Sequence, residues 1–383
     1  MILLSGAAAR EQPFAPTQTN LREKRVEIPF RIVAGGLLEI EVSVNSIPVH
    51  CMVDTGASAS LVSEKLVKAA SLGVYKLSRV RMQDAGGNQR TEKVAWMNHC
   101  TLSSELDFIR LDAVEADLKS LGDKDHPIDL VLCPGAFANV LLTIDYPKHR
   151  LRFERGTLPA EDGKEILPMW IDRSGHLVID AAMGKHALRL LLDTGCTAGL
   201  VLPGNFLPIA EAGELLASAQ SQFYYGTGIF DVHRGTQELH VGRHTFAHPL
   251  YVTSDRRGIG QPVMGAAYLR YFAVTFDMEH RRVRFARDDT NPIEVPVPLI
   301  LTFQFDPGTG VVTSVRDGGS AEKQGIHVGD RIALIENMSV KEFMAGKVPK
   351  GLKHPGFITL RVTRNGRAPF AAMIPLQDIQ GTP

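Results

Sequence analysis

The chain has 383 residues, 44% of them apolar and 22% charged, which is the composition of a folded protein of two or three domains and excludes wholesale disorder or a fibrous repeat. Lys plus Arg number 42 and Asp plus Glu number 42, so no basic excess points to a nucleic-acid partner. The 35 Gly and 22 Pro are spread evenly, which suits many short strands joined by turns better than a helical bundle.

Residues 1–24 read as an N-terminal tail. Ile2-Leu3-Leu4-Ser5-Gly6 followed by Ala7-Ala8-Ala9 has the ending of a secretory signal but neither its basic start nor a long apolar core. The expected location is therefore periplasmic or secreted, with the cytoplasm as the alternative. No stretch reaches the ~18 consecutive apolar residues of a spanning helix, so no integral membrane segment is expected.

A first β-rich unit is expected over 25–155. Apolar runs at Ile40, Val42, Val44 and at Val49, Met52, Val53 flank the turn Asn45-Ser46, so this hairpin delivers Asp54-Thr55-Gly56 at the end of its second strand. A glycine turn follows at Gly86-Gly87, then Val131-Leu132-Cys133, Ile144-Asp145, and a closing strand from Lys148 to Phe153. The polar stretch 155–165 reads as a linker.

The same sequence of signals recurs over 166–290. Leu177 and Ile179, the turn Gly184-Lys185, then Leu188, Leu190 and Leu192 lead to Asp193-Thr194-Gly195. In both copies Leu-Val stands seven and eight residues beyond the Asp, as Leu61-Val62 and Leu200-Val201. Later come a glycine turn at Gly226 and Gly228, then Val263-Met264-Gly265 and Phe276-Asp277, with twelve residues from Cys133 to Asp145 and twelve from Gly265 to Asp277. One unit is thus present twice. Asn291 to Pro298 reads as a connector. The remainder, 296–378, is expected to be a small α+β domain: a strand over Val311–Val315, a short helix ended by Gly325, the turn Gly329-Asp330, and strands Phe357–Thr363 and Pro369–Ile374.

The chemistry follows from the repeat. Two carboxylates brought face to face, one from each copy, cannot both stay ionised at close range. One then holds a proton while the other acts as base, the pair of tasks that amide hydrolysis by water requires. Thr55 and Thr194 are placed to hydrogen-bond across the axis between the copies, and Gly56 and Gly195 let backbone approach the carboxylates. The four cysteines, Cys51, Cys100, Cys133 and Cys196, include no CxxC pair; they are expected as buried packing, with disulfides the alternative in an exported chain. His240, His244 and His248 recur every four residues, but Gly242-Arg243 and Pro249 mark a hairpin, in which that spacing does not converge three imidazoles. No metal and no cofactor are expected.

These two DTG units, with their Leu-Val strands and late hydrophobic-hydrophobic-Gly element, resemble the retropepsin-like aspartic protease family with both lobes fused in one chain. The third domain resembles a PDZ domain of the bacterial, circularly permuted type, on Gly319-Ser320-Ala321, Gly325-Ile326 and Gly329-Asp330-Arg331-Ile332. What the resemblance implies is a mainly β fold: two retropepsin/pepsin-like β-barrel lobes related by pseudo-twofold symmetry, plus a small α+β PDZ domain. It implies an aspartic endopeptidase with Asp54 and Asp193 catalytic, supported by Thr55, Gly56, Thr194 and Gly195. The glycine-tipped hairpins with Gly86, Gly87, Tyr225, Gly226 and Gly228 would be flaps over an extended polypeptide substrate, and the PDZ domain would recruit substrate or partner peptides to a monomer. The rival expectation is a peptide-binding adaptor with a degenerate, inactive protease fold. The sequence departs from the family pattern at Cys133-Pro134-Gly135 in the first lobe, at Cys196 after the second DTG, and at Glu336-Asn337 where an Asn-Gly turn is commoner.

Overall fold

The computed structural model describes residues 2–3, 17–33, 36–84, 87–119, 121–122, 126–204, 206–207, 213–223, 226–254, 260–295, 302–306, 308–344 and 357–375. It is mainly β, and the repeat seen in the sequence is a repeat of strand order. In the first half, seven strands run Gly73–Asp84, Gln89–Ser103, Leu106–Ala116, Leu61–Ser63, Leu130–Leu132, Ile47–Val53, Leu37–Val44 across the sheet. In the second half, the order is Glu214–Phe223, Gly226–Arg234, Leu250–Ser254, Leu200–Pro203, Val263–Gly265, His186–Asp193, Leu177–Met183. Strand directions match as well: the Leu-Val strand is parallel to Leu106–Ala116 in one half and to Leu250–Ser254 in the other.

The hairpin leading to each Asp-Thr-Gly turns as expected. Asn45 and Ser46 have φ of 47° and 70°, and Gly184 has φ of 56°, the left-handed conformations of tight two-residue turns that match the strand twist. The alternating strands bury Leu38, Ile40, Val42 and Val44 on one side of the first hairpin and Leu188, Leu190 and Leu192 in the second.

The two halves are joined by a continuous sheet, in the order Arg25–Pro29, Arg150–Glu154, Leu141–Asp145, Ala273–Asp277, Arg282–Ala286, Ile166–Ile171. At its centre Thr143 pairs with Thr275, flanked by Leu142 opposite Phe276 and Ile144 opposite Val274. Thr143 and Thr275 are the same position in the two copies, so an approximate twofold axis passes between them, and their hydroxyls are hydrogen-bonded at 2.8 Å. Asp145 and Asp277 repeat one device: each accepts a backbone N–H from three residues on, Lys148 at 3.1 Å and His280 at 3.1 Å, and so closes the turn into the next strand.

The C-terminal domain has its own core, built on Phe303, Val312, Ile326, Ile332, Ile335 and Leu360, separate from that of the lobes. Its strands are Phe303–Phe305 with Val312–Val315, and Arg331–Ile335 with Phe357–Thr363 and Phe370–Pro375; the helices are Ser320–Lys323 and Val340–Met344. Buried Asp330 is gripped by Arg364 through both oxygens, at 2.6 and 2.7 Å, and this fork holds its carboxyl below the ordinary value. Glu336 takes the left-handed turn position at φ 54° and accepts the Thr359 N–H at 2.6 Å, which is how a Glu serves where Asn-Gly is commoner.

The connector expected from Asn291 corrects in part. Ile293 bridges to Phe246, exchanges backbone bonds with Thr245 and Ala247, and is buried together with Val295 in the core of the lobes. Two apolar side chains alternating in a Pro-containing stretch were enough for a strand-like seat that composition alone disguises.

Candidate active site

Asp54 follows the strand Ile47–Val53 and Asp193 ends the strand His186–Asp193. Both are buried, at 2% and 0% exposure. Each is positioned by a parallel neighbour: Leu132 lies beside Val53 and its carbonyl accepts the Asp54 N–H at 2.9 Å, while Gly265 lies beside Asp193.

Four hydrogen bonds lock the two turns to one another. The Thr55 hydroxyl donates to Leu192 O at 2.8 Å and accepts the Thr194 N–H at 3.0 Å. Reciprocally, the Thr194 hydroxyl donates to Val53 O at 2.7 Å and accepts the Thr55 N–H at 3.0 Å. A hydroxyl supplies donor and acceptor together, so all the buried polar groups in this lattice are satisfied.

The glycines explain how close the carboxyls come. A Cβ on Gly56 would lie 2.2 Å from Asp193 Cγ, and one on Gly195 would lie 2.5 Å from Asp54 Cγ. Either would drive the carboxyl out, so glycine is required by approach rather than by φ. Each Asp also accepts the N–H of its own glycine, Gly56 to Asp54 Oδ1 and Gly195 to Asp193 Oδ1, both at 2.8 Å. Burial together with the charge of Asp193 pushes Asp54 up to about 7. Beside a second buried carboxyl, Asp54 therefore keeps its proton well above the ordinary carboxylate range.

The two lobes differ where the sequence departs from the pattern. Gly265 in the second lobe has no room for a side chain, because a Cβ would meet Ala198 O at 2.0 Å and Cys196 O at 2.4 Å. In the first lobe Cys133 occupies the matching place; its N–H donates to Ser60 Oγ at 3.3 Å and its sulfur accepts from that hydroxyl at 3.5 Å. The loop is therefore rebuilt around a Ser-Cys pair and the short helix Pro134–Phe137. Cys196 gives Asp193 Oδ1 its backbone N–H at 2.9 Å, while its thiol turns to Ala198 O at 3.9 Å. Burial, and then the Asp193 charge, push that thiol up to about 12, so it is protonated at neutral pH. All four cysteines are free.

Both long hairpins are present, Gly73–Asp84 with Gln89–Ser103 and Glu214–Phe223 with Gly226–Arg234. Gly87 is in the first turn at φ 82°, where Asp84 accepts its N–H and that of Asn88. Gly86 and Tyr225 lie outside the described residues. Gly226 pairs with Phe223, the last pair before the turn, and Gly228 with Ser221, so both glycines lie at the outer end of the second hairpin. The histidines at 240, 244 and 248 go to separate partners, Thr245, the Phe285 carbonyl and Glu294.

Residues 40–133 match the family model for aspartyl proteases, and residues 304–363 match that for the PDZ domain. No curated protein matches the chain. Among solved structures, it is similar to conglutin gamma, a basic 7S globulin of lupine seeds, at 12% identity and a TM-score of 0.43, over 70% of this chain and 95% of that one.

Proposed function

We propose that this chain, with its aspartyl protease domain and its PDZ domain, is an aspartic endopeptidase in which Asp54 and Asp193 act as one dyad. The supporting observation is the pair of buried carboxyls, each seated against the other lobe's glycine, with Asp54 raised to about 7. In the cycle, water lies between the carboxyls. The ionised carboxyl takes a proton from it as its oxygen attacks the peptide carbonyl carbon, and the protonated carboxyl gives its proton to the carbonyl oxygen. From the resulting diol, the C–N bond breaks as the amide nitrogen takes a proton and a diol hydroxyl returns one, so the pair again holds a single proton.

In this reading the lobes span 25–155 and 166–290, the hairpins carrying Gly86, Gly87, Tyr225, Gly226 and Gly228 close over an extended substrate, and the protein works as a monomer. Peptide binding by the PDZ domain of 296–378 fits strand addition, since Phe303–Phe305 pairs with Val312–Val315 on one side only among the described residues. A cleavage assay on an unfolded protein tests the proposal. Asp54→Asn and Asp193→Asn should each abolish cleavage about as completely as the double change, because residues that act as a unit are not additive. Substantial activity in either single variant excludes the dyad. A wild-type chain that binds peptide without cutting it establishes the adaptor reading instead.

A further inference from the structure

Glu39 carries a carboxylate with no exposure at all, on the strand Leu37–Val44. It points away from the face that buries Leu38, Ile40 and Val42, toward a group the sequence scatters over 88 positions. His50, on the adjoining strand Ile47–Val53, places Nδ1 at 2.8 Å from Glu39 Oε1. His126, in the loop closed by the bridge between Gly122 and Pro127, places Nδ1 at 3.6 Å from Oε2. The two imidazoles meet edge to face at 5.2 Å between centroids, and one ligand atom from each of the three residues lies within 4.8 Å of the others.

Two features separate this cluster from an ordinary ion pair. Glu39 Oε2 is buried and accepts no hydrogen bond among the described residues, although Arg31 Nε stands 3.3 Å away. Arg31 is half-exposed and divides its guanidinium between Glu39 and Glu41, so Glu39 shares this cation with a second carboxylate. Second, both rings turn Nδ1 toward one carboxylate. A tetrahedral ion with bonds of about 2.0–2.2 Å spaces its ligand atoms by about 3.3–3.6 Å; His126 Nδ1 stands 3.6 Å from Oε2, while His50 Nδ1 is hydrogen-bonded to the other oxygen at 2.8 Å, so an ion would take the place of that hydrogen bond.

We propose that Glu39, His50 and His126 bind a single divalent transition-metal ion of the zinc class, with solvent as the fourth ligand. Two imidazoles and one carboxylate make a borderline N/O donor set that suits zinc and disfavours calcium or magnesium. The consequence is mechanical. His50 lies four residues before Asp54, and the loop of His126 runs directly into Leu130–Leu132, the strand beside that turn. The ion would therefore pin to one another the two strands that position Asp54.

The test uses the full-length, tag-free chain stripped with EDTA, titrated with Zn2+ against a chromogenic chelator and, separately, with Co2+ for its visible absorption bands. One saturable equivalent is expected, with Co2+ bands of four-coordinate geometry and a thermal midpoint that rises on adding Zn2+. His126→Ala and His50→Ala should each weaken Zn2+ binding by at least about 100-fold and abolish both the bands and the thermal shift. His126→Gln, which keeps a polar side chain of similar reach, covers the case in which the alanine variant misfolds. The joint variant His240→Ala/His248→Ala should bind as the wild type does. Absence of a saturable equivalent in the wild type, or equal affinity in a folded His126 variant, overturns the proposal and leaves an ion-pair clasp. Because the readout is metal binding, the result is independent of whether the dyad cleaves peptides.

Discussion

Replacing Asp54 by Asn removes a buried carboxyl that is costly to ionise, and the size of the effect can be worked from the structure. Burial and the Asp193 charge hold Asp54 at about 7, against an ordinary 3.8. A raised value means that the folded chain holds this proton more tightly than the unfolded chain. The stabilisation is complete below the unfolded value and disappears as the pH rises through the folded one. At 1.36 kcal/mol per unit, this group alone should cost the wild type about 2–3 kcal/mol of stability between roughly pH 5 and pH 8. Asparagine does not titrate and its carbonyl can still accept the Gly56 N–H, so Asp54→Asn should lose that part of the pH dependence. Urea unfolding followed by tryptophan fluorescence suits the measurement, because the chain has only two Trp, Trp96 and Trp170, both in the lobes; unfolding of the C-terminal domain is silent. The variant's advantage over the wild type should grow by about 2–3 kcal/mol from pH 5 to pH 8. Parallel pH profiles for the two chains would refute a buried, proton-sharing pair. On the proposed mechanism, cleavage should fall as the pH rises through about 7 and Asp54 loses its proton.

Other perturbations probe the scaffold. Thr55→Val or Thr194→Val leaves a buried carbonyl and a buried N–H of the opposite lobe unpaired, and each should cost about 1–3 kcal/mol in the same unfolding assay. Gly265→Ala must displace backbone at Ala198 and Cys196, so it should lower Tm and activity sharply, whereas Cys133→Ala, where a side chain is already housed, should cost less than about 2 kcal/mol. A chain ending after Val295 should keep the folded lobes and cleave short peptides, since the ion pair between Arg316 and Glu214 is exposed on the glutamate side and such pairs contribute about 1 kcal/mol at most. If the PDZ domain recruits, kcat/KM for a protein substrate should fall far more than for a peptide. Ending the chain before Ile293 should in addition lower Tm, because it removes two buried apolar side chains worth about 1.5–3 kcal/mol each.

Much of this architecture was legible in the sequence because it is written in local signals and repeated. Period-two apolar runs, tight-turn residues and a DTG at equal places in both copies are sufficient to predict the hairpins, the duplication and the candidate pair Asp54 and Asp193. Family resemblance carried the third domain, through its helix-ending Gly325 and its Gly329-Asp330 turn. Tertiary structure decided what depends on close approach between distant residues. That Gly56 is needed by Asp193, and Gly195 by Asp54, appears only when the lobes meet across the axis. The housing of Cys133 by Ser60 joins positions 73 apart, and the seat of Ile293 against Phe246 turns an apparent linker into core. Glu39, His50 and His126 escape any spacing rule because two of them are neighbours across a strand pair and the third arrives on a loop. Chain position encodes periodicity, and periodicity gives elements; which elements end up in contact is fixed by burial summed over the whole fold, and it is that burial, with Asp193 alongside, that raises Asp54.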